Sequence, residues 1–231
     1  SETHSINEAV KAYKSLLENP ESLGIILKYD NINEKKESTL LLNNKNNYDL
    51  GNKPLNPTIS FIGAGNYASR ILIPTFKKCK ANLYSISASK GLSQTYIGKK
   101  FGFIKATTDT ETVFSDNNCN TVVIATRHDS HASLIKRALE SGKNIFVEKP
   151  LCINYEELIE IQNTYKFATD KYKRKPFIMI GYNRRFSPLI SELKSNLDEN
   201  HPSAFIYLCN AGFIPREHWT QDPNIGGGRL I

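Results

Sequence analysis

Residues Thr58 to Ala68 read T-I-S-F-I-G-A-G-N-Y-A. The first five, Thr58–Ile62, are β-branched, aromatic or small and predict a strand. Tyr67–Lys78 predicts a helix. The motif G-x-G-x-x-A (Gly63, Ala64, Gly65, Asn66, Tyr67, Ala68) therefore falls in a strand-to-helix turn, as the dinucleotide fingerprint requires. Gly63 permits the tight turn, Gly65 lets a pyrophosphate approach the backbone, and Ala68 keeps the helix close to the strand. The helix start adds unpaired N–H groups and a partial positive charge that suit phosphate.

Outward from this turn the chain alternates strand and helix. Strands are expected at Asn82–Ala88, Phe103–Lys105, Thr121–Ala125, Asn144–Val147 and Phe177–Ile180. Helices are expected at Ser93–Phe101, Glu111–Ser115, Ser130–Ser141 and Tyr155–Phe167, with Gly142 ending the third of these. Near-continuous apolar strands in repeated βα units predict α/β architecture: a doubly wound, Rossmann-type parallel sheet covered on both faces, over residues 58–182. After Ser187 the pattern changes to a helix at Pro188–Leu197 and a strand at Ser203–Cys209, followed by a polar loop and Gly226-Gly227-Gly228. Residues 183–231 are expected to begin a further unit that is truncated at Ile231.

Ahead of the sheet, residues 5–18 predict an amphipathic helix, with apolar Ile6, Ala9, Val10, Tyr13, Leu16 and Leu17 and a capping box of Ser5 and Glu8. Gly24–Tyr29 predicts a strand. One helix and one strand make no domain, so residues 1–30 are expected to be a remnant of a larger unit. Residues 31–57, rich in Asn, Lys and Glu, are expected to be a linker, in which Leu40-Leu41-Leu42 could pack locally.

A chain of 231 residues with 39% hydrophobic and 23% charged residues can bury a core, which excludes a wholly disordered or collagen-like protein. No apolar run approaches the roughly 20 residues of a membrane span. Cys79, Cys119, Cys152 and Cys209 are scattered without a C-x-x-C pair, which fits a cytoplasmic protein. The formal charge is +7, and all nine charged residues between Leu50 and Thr108 are cations, from Lys53 to Lys105. That field favours an anionic partner, with a solvated lysine-rich surface as the plain alternative.

The second strand ends in Ser87-Ala88-Ser89-Lys90, where an acidic residue would normally bind the ribose of NAD; none occurs before Asp109. Ser87, Ser89 and Lys90 could hold a 2′-phosphate, which tilts the cofactor from NAD toward NADP; the alternative is an exposed Lys90.

Two further stretches carry a family resemblance. One is V-V-I-A-T-R-H-D-S-H at Val122–His131, leading to F-V-E-K-P at Phe146–Pro150. The other is G-Y-N-R-R-F-S-P at Gly181–Pro188. With the fingerprint they resemble the Gfo/Idh/MocA oxidoreductases over about Thr58 to Ile231, most specifically in E-K-P. The resemblance implies an NAD(P)-dependent enzyme acting on a secondary alcohol or ketone of a sugar, cyclitol or nucleotide-sugar, possible in cell-surface polysaccharide metabolism. It implies that Glu148, Lys149 and Pro150 border the cofactor and that Lys149 is also catalytic, polarising the reacting oxygen or assisting proton transfer, with Glu148 contacting cofactor or orienting the lysine and Pro150 fixing the turn. Ala125, Thr126, Arg127, His128 and His131 would border the cofactor; for His131 a capping or packing role is the alternative. The resemblance also implies that the unit begun by residues 183–231 is an α+β substrate domain. Asn183, Arg184, Arg185 and Trp219 would face substrate; for Asn183–Arg185 an exposed basic helix start is the alternative.

His128 and His131 lack a third ligand, so no metal site is expected. The opening helix and strand resemble the end of a medium-chain, zinc-type alcohol dehydrogenase, and Ala211–Ile231 resembles a bi-domain subgroup in which such a module precedes the Gfo/Idh/MocA module. On that resemblance the chain is expected to be a fragment of a homo-oligomeric protein, with the family's acid-and-histidine motif beyond Ile231. A non-catalytic dinucleotide sensor is the alternative function. No nucleic-acid partner is expected, because no helix-turn-helix, zinc-finger or RNP-like motif accompanies the basic stretch.

Overall fold

The computed structural model describes residues 2–19, 23–29, 37–43, 57–89, 91–197, 201–202, 204–210 and 212–228. They fall into two compact units, Ser1–Glu37 and Ser38–Ile231.

In the first unit, strands β1 (Glu2–Ser5) and β2 (Ile25–Lys28) pair in parallel, joined through helix α1 (Ala9–Glu18). Strand β1 was not foreseen: E-T-H-S lacks apolar alternation and is defined by pairing with β2. Ser5 caps the opening 3₁₀ turn by accepting a bond from the Asn7 N–H. Two four-residue strands cover only one side of α1, so Ala12 is buried while Val10, Tyr13 and Leu17 remain exposed.

The second unit is built on a seven-stranded sheet of β3 (Thr39–Leu41), β4 (Thr58–Ile62), β5 (Asn82–Ser87), β6 (Lys105–Thr107), β7 (Thr121–Ile124), β8 (Asn144–Val147) and β9 (Ile178–Ile180). Their order is β3-β6-β5-β4-β7-β8-β9, and all pairs are parallel except β3 with β6. This is the Rossmann-type α/β fold expected, with the chain reversing direction of growth between β4 and β7. Strand β3 corrects the reading of residues 31–57 as an unstructured linker. Thr39–Leu41 forms an edge strand of the sheet, and Leu42, just past it, donates its N–H to Ile104 O at 2.7 Å and packs against the core.

Strand β4 is buried throughout, and its alternation divides the core. Ile59 and Phe61 face one layer, where the Phe61 ring meets Phe76 and Phe103 edge-on at 5.7 and 5.8 Å. Ile62 faces the other layer, with Val122, Ile124, Ile135, Leu139, Ile145 and Val147. Burying a side chain such as Phe61 contributes about 2–3 kcal/mol. Ser60 and Ser85 satisfy each other across the strands at 2.8 Å.

The helix after β4 opens with a π-helical turn, Ala68–Leu72, before α2 (Ile73–Lys78). Pro74 accounts for it: proline has no N–H for the Arg70 carbonyl and its ring crowds that position, so the turn widens. The remaining helices are α3 (Gly91–Phe101), α4 (Glu111–Ser115), α5 (His131–Glu140), α6 (Tyr155–Tyr172) and α7 (Pro188–Ser195). Helix α6 runs five residues past its expected end. Ala168 is buried and Tyr172 donates to Glu140 O at 2.6 Å, contacts that the polar run Asp170–Lys175 hides. Residues 204–210 make no sheet pairing, against the expected strand at Ser203–Cys209. Ile206 and Leu208 are exposed, and an extended segment without a described partner strand forms no ladder.

Candidate active site

The carboxyl ends of β4 and β7 flank the point where strand order reverses, and the turns leaving them open a cleft of about 1230 Å³. Gly63 lies at φ +105°, and a Cβ there would stand 2.3 Å from the Ala125 carbonyl oxygen, so only glycine lets the two turns approach. Gly65 differs. Its φ lies outside the left-handed region and an added Cβ meets nothing of the protein within 4 Å. The fold does not require glycine at that position; the space lies in the cleft wall, as a diphosphate against the main chain would require. The donor set therefore fits a dinucleotide.

The whole segment Gly63–Ala68 lines the cleft, joined by Ser87 and Ser89 from the end of β5 and by Ala125, Thr126, Arg127 and His128 after β7. Glu148 and Lys149 enter from the end of β8, and Asn183 and Trp219 complete the wall. Lys90 lies outside the described residues. Asn183 Nδ2 donates to the Tyr67 hydroxyl at 2.9 Å, linking the turn after β9 to the glycine-rich turn.

A second cavity of about 810 Å³ is lined by Pro150, Gly181, Tyr182, Arg184, Arg185, Cys209 and Asn210. His128, Lys149 and Asn183 line both cavities. Burial raises the Glu148 carboxyl above its usual range, against the opposing Lys149 backbone N–H and Lys149 charge. The peptide bond between Lys149 and Pro150 is cis.

Three sequence-derived placements change. His131 lines neither cavity: it is fully buried, with Nδ1 2.6 Å from Pro150 O and Nε2 3.4 Å from Thr126 O. Since a carbonyl only accepts, Nδ1 carries the hydrogen and donates it to Pro150 O, so His131 braces the turn after β8 from behind while Nε2 only packs near the Thr126 carbonyl. Burial lowers its pKa. Pro150 lines the second cavity rather than the first. Trp219, expected on the substrate side, lines the first, edge-on to His128 at 4.8 Å and with Arg127 5.8 Å from its ring. It is carried there by residues 219–228: His128 Nδ1 lies 2.7 Å from Gly226 O, and Asp129 N–H donates to Ile225 O at 3.0 Å.

Sequence reasoning missed Thr110, Cys209 and Asn210. Thr110 follows β6, 3.2 Å from the Ser87 hydroxyl, at the carboxyl edge where ligands of such sheets sit; that rule could have found it. Cys209 closes the expected strand and Asn210 follows it directly, where the pattern gives no sign of a site. Among the described residues, no group of three His, Cys, Asp or Glu side chains could hold a metal ion. No described helix is long and apolar enough to cross a membrane.

Comparison with known proteins agrees with this geometry. The family model for Gfo/Idh/MocA, the oxidoreductase family with an NAD-binding Rossmann fold, matches residues 58–173. The scyllo-inositol 2-dehydrogenase (NAD(+)) of Bacillus subtilis is 33% identical over 112 residues, 48% of this chain and 31% of that protein. The levoglucosan dehydrogenase of Pseudarthrobacter phenanthrenivorans is 29% identical over 127 residues, 54% of this chain and 30% of that protein. Among solved structures, a variant of a 3-ketoreductase from Actinomadura kijaniata, with TDP-benzene and NADP, superimposes with a TM-score of 0.61 at 18% identity. It covers 75% of this chain and 53% of that one. The chain spans between 30% and 53% of the first curated relatives it matches.

Proposed function

The chain belongs to the Gfo/Idh/MocA oxidoreductases, and from that membership we propose that it forms the coenzyme-binding part of an NAD(P)-dependent dehydrogenase acting on a sugar, cyclitol or nucleotide-sugar. The bound nicotinamide would supply the hydride chemistry at a secondary alcohol or ketone. The observation that carries the reading is Lys149 lining both cavities, beside a glycine turn with room for a diphosphate.

Main-chain groups of Gly63–Ala68 hold the diphosphate, and the Ser87 and Ser89 hydroxyls bind the adenosine ribose end. NADP is favoured over NAD because β5 ends without a carboxylate that would repel a 2′-phosphate. Lys149 Nζ donates a hydrogen bond to the reacting oxygen and stabilises negative charge there. Asn183, tied to Tyr67, orients substrate across the junction. Four unpaired cysteines suit a reducing, cytoplasmic setting.

Turnover of a sugar and cyclitol panel by the full-length protein tests this. Lys149→Ala should lower kcat by about 10²–10⁴-fold. Unchanged turnover would remove Lys149 from the chemistry.

A further inference from the structure

The second cavity gathers three cations, and two of them, Arg184 and Arg185, have no described counter-charge. Lys149, Arg184 and Arg185 line it, and none of its described lining residues is Asp or Glu. None of the three makes an ion pair with a described residue. Some cations elsewhere in the unit are neutralised: Lys105 lies 2.8 Å from Asp116, and Arg137 pairs with Glu111 and Glu140. Glu148 lines only the first cavity, but its charge acts on Lys149 and its carboxyl lies against Gly181, so the unmatched charge of the second cavity is that of Arg184 and Arg185.

Arg184 is oriented without being neutralised. Its Nη1 donates to the Tyr207 hydroxyl at 3.3 Å and to Cys209 Sγ at 2.7 Å, and neither partner is a carboxylate. Among the described residues its Nε and Nη2 make no hydrogen bond, which leaves a planar two-donor edge of the kind that binds carboxylate or phosphate through two parallel bonds. Arg185 lies over the Phe186 ring at 4.7 Å, again a contact that keeps its charge. Unpaired cations around a concave site focus a positive field into it, and an anion entering it completes the arrangement.

We infer that the substrate is a sugar bearing an anionic group, a carboxylate or a phosphate, held by Arg184 and Arg185 while its carbinol lies at Lys149. The inference deepens the oxidoreductase reading and rests on it for the position of the carbinol. The volume of about 810 Å³ accommodates a sugar with such a substituent.

Calorimetric titration of the chain without coenzyme, using glucuronate, glucose phosphate and glucose as probes, tests it. At least one anion should bind about tenfold or more tighter than glucose, the usual worth of a charge-assisted pair, and the stronger of the two identifies carboxylate or phosphate as the recognised group. The preference should shrink at about 0.5 M salt. It should fall at least about fivefold in Arg184→Gln, while Arg184→Lys, which keeps the charge and loses the fork, retains part of it. Circular dichroism of each variant confirms the fold. Glucose binding as tightly as both anions, neither anion binding below about 10 mM, or the full preference surviving in a folded Arg184→Gln, Arg185→Gln double variant would each overturn the inference. NADH fluorescence on the same samples separates the two claims. NADH binding without anion preference removes only the anionic substrate, and anion preference without NADH binding keeps the anion site while removing the redox reading.

Discussion

Gly63 and Gly65 stand two residues apart in one turn, yet only one is fixed by the fold. Protein backbone demands the first; nothing of the protein within 4 Å demands the second. His131 makes the same distinction between fold and site. It sits at the start of a helix after a strand end, where sequence leaves cofactor contact and packing equally open, and packing wins because the ring is fully buried and its Nδ1–H donates to the Pro150 carbonyl. Its pKa is depressed mainly by burial, so the unfolded chain binds more protons at acid pH. The stability contribution is therefore complete above the unfolded value near pH 6.5 and is lost as pH falls toward the lower folded value. Thermal midpoints measured between about pH 7.5 and pH 5 should fall more steeply in the parent protein than in His131→Gln. Equal slopes would mean that burial of His131 does not couple to folding.

Strand β4 and its turn set the geometry of the site, and this element was legible because each level of the sequence agreed: β-branched strand, glycine turn, helix. Gly63→Ala combines a strained backbone with a collision against the Ala125 carbonyl and should cost about 2–4 kcal/mol in denaturant unfolding. A loss below about 0.5 kcal/mol would show that the two turns can separate freely. Strand β3 was illegible for the opposite reason. Its three paired residues sit in a polar, Asn-rich stretch, and its pairing partner β6 lies more than sixty residues away. Leu42 nevertheless packs over Gly98, where an added Cβ would meet Leu42 Cδ1 at 2.4 Å. Leu42→Ala should therefore lower stability by about 1–2 kcal/mol, measured by urea unfolding, whereas a dispensable linker residue would give no change. Residues 204–210 fail in the reverse sense: F-I-Y-L satisfies strand propensity, and propensity without a described partner produced no ladder.

At the scale of the molecule, the reversal of strand order between β4 and β7 creates the cleft, and the turns after β8 and β9 bring Lys149 and Asn183 to it. The fingerprint made the coenzyme half of this arrangement readable. The second cavity was only half readable, because Cys209, Asn210 and the loop carrying Trp219 reach it through tertiary contacts with no sequence period. Charge at this scale is local too: Lys105, part of the basic stretch, is matched by Asp116, whereas Arg184 and Arg185 of the second cavity have no described carboxylate partner. The central claim is that the space beside Gly65 belongs to a diphosphate. Calorimetric titration with NADPH and NADH, on the parent chain and on Gly65→Ala, tests it most directly. The account predicts binding of at least one coenzyme to the parent, weakened at least about tenfold in a variant whose unfolding free energy changes by no more than about 0.5 kcal/mol. Binding of neither coenzyme, or equal binding by parent and variant, would contradict it.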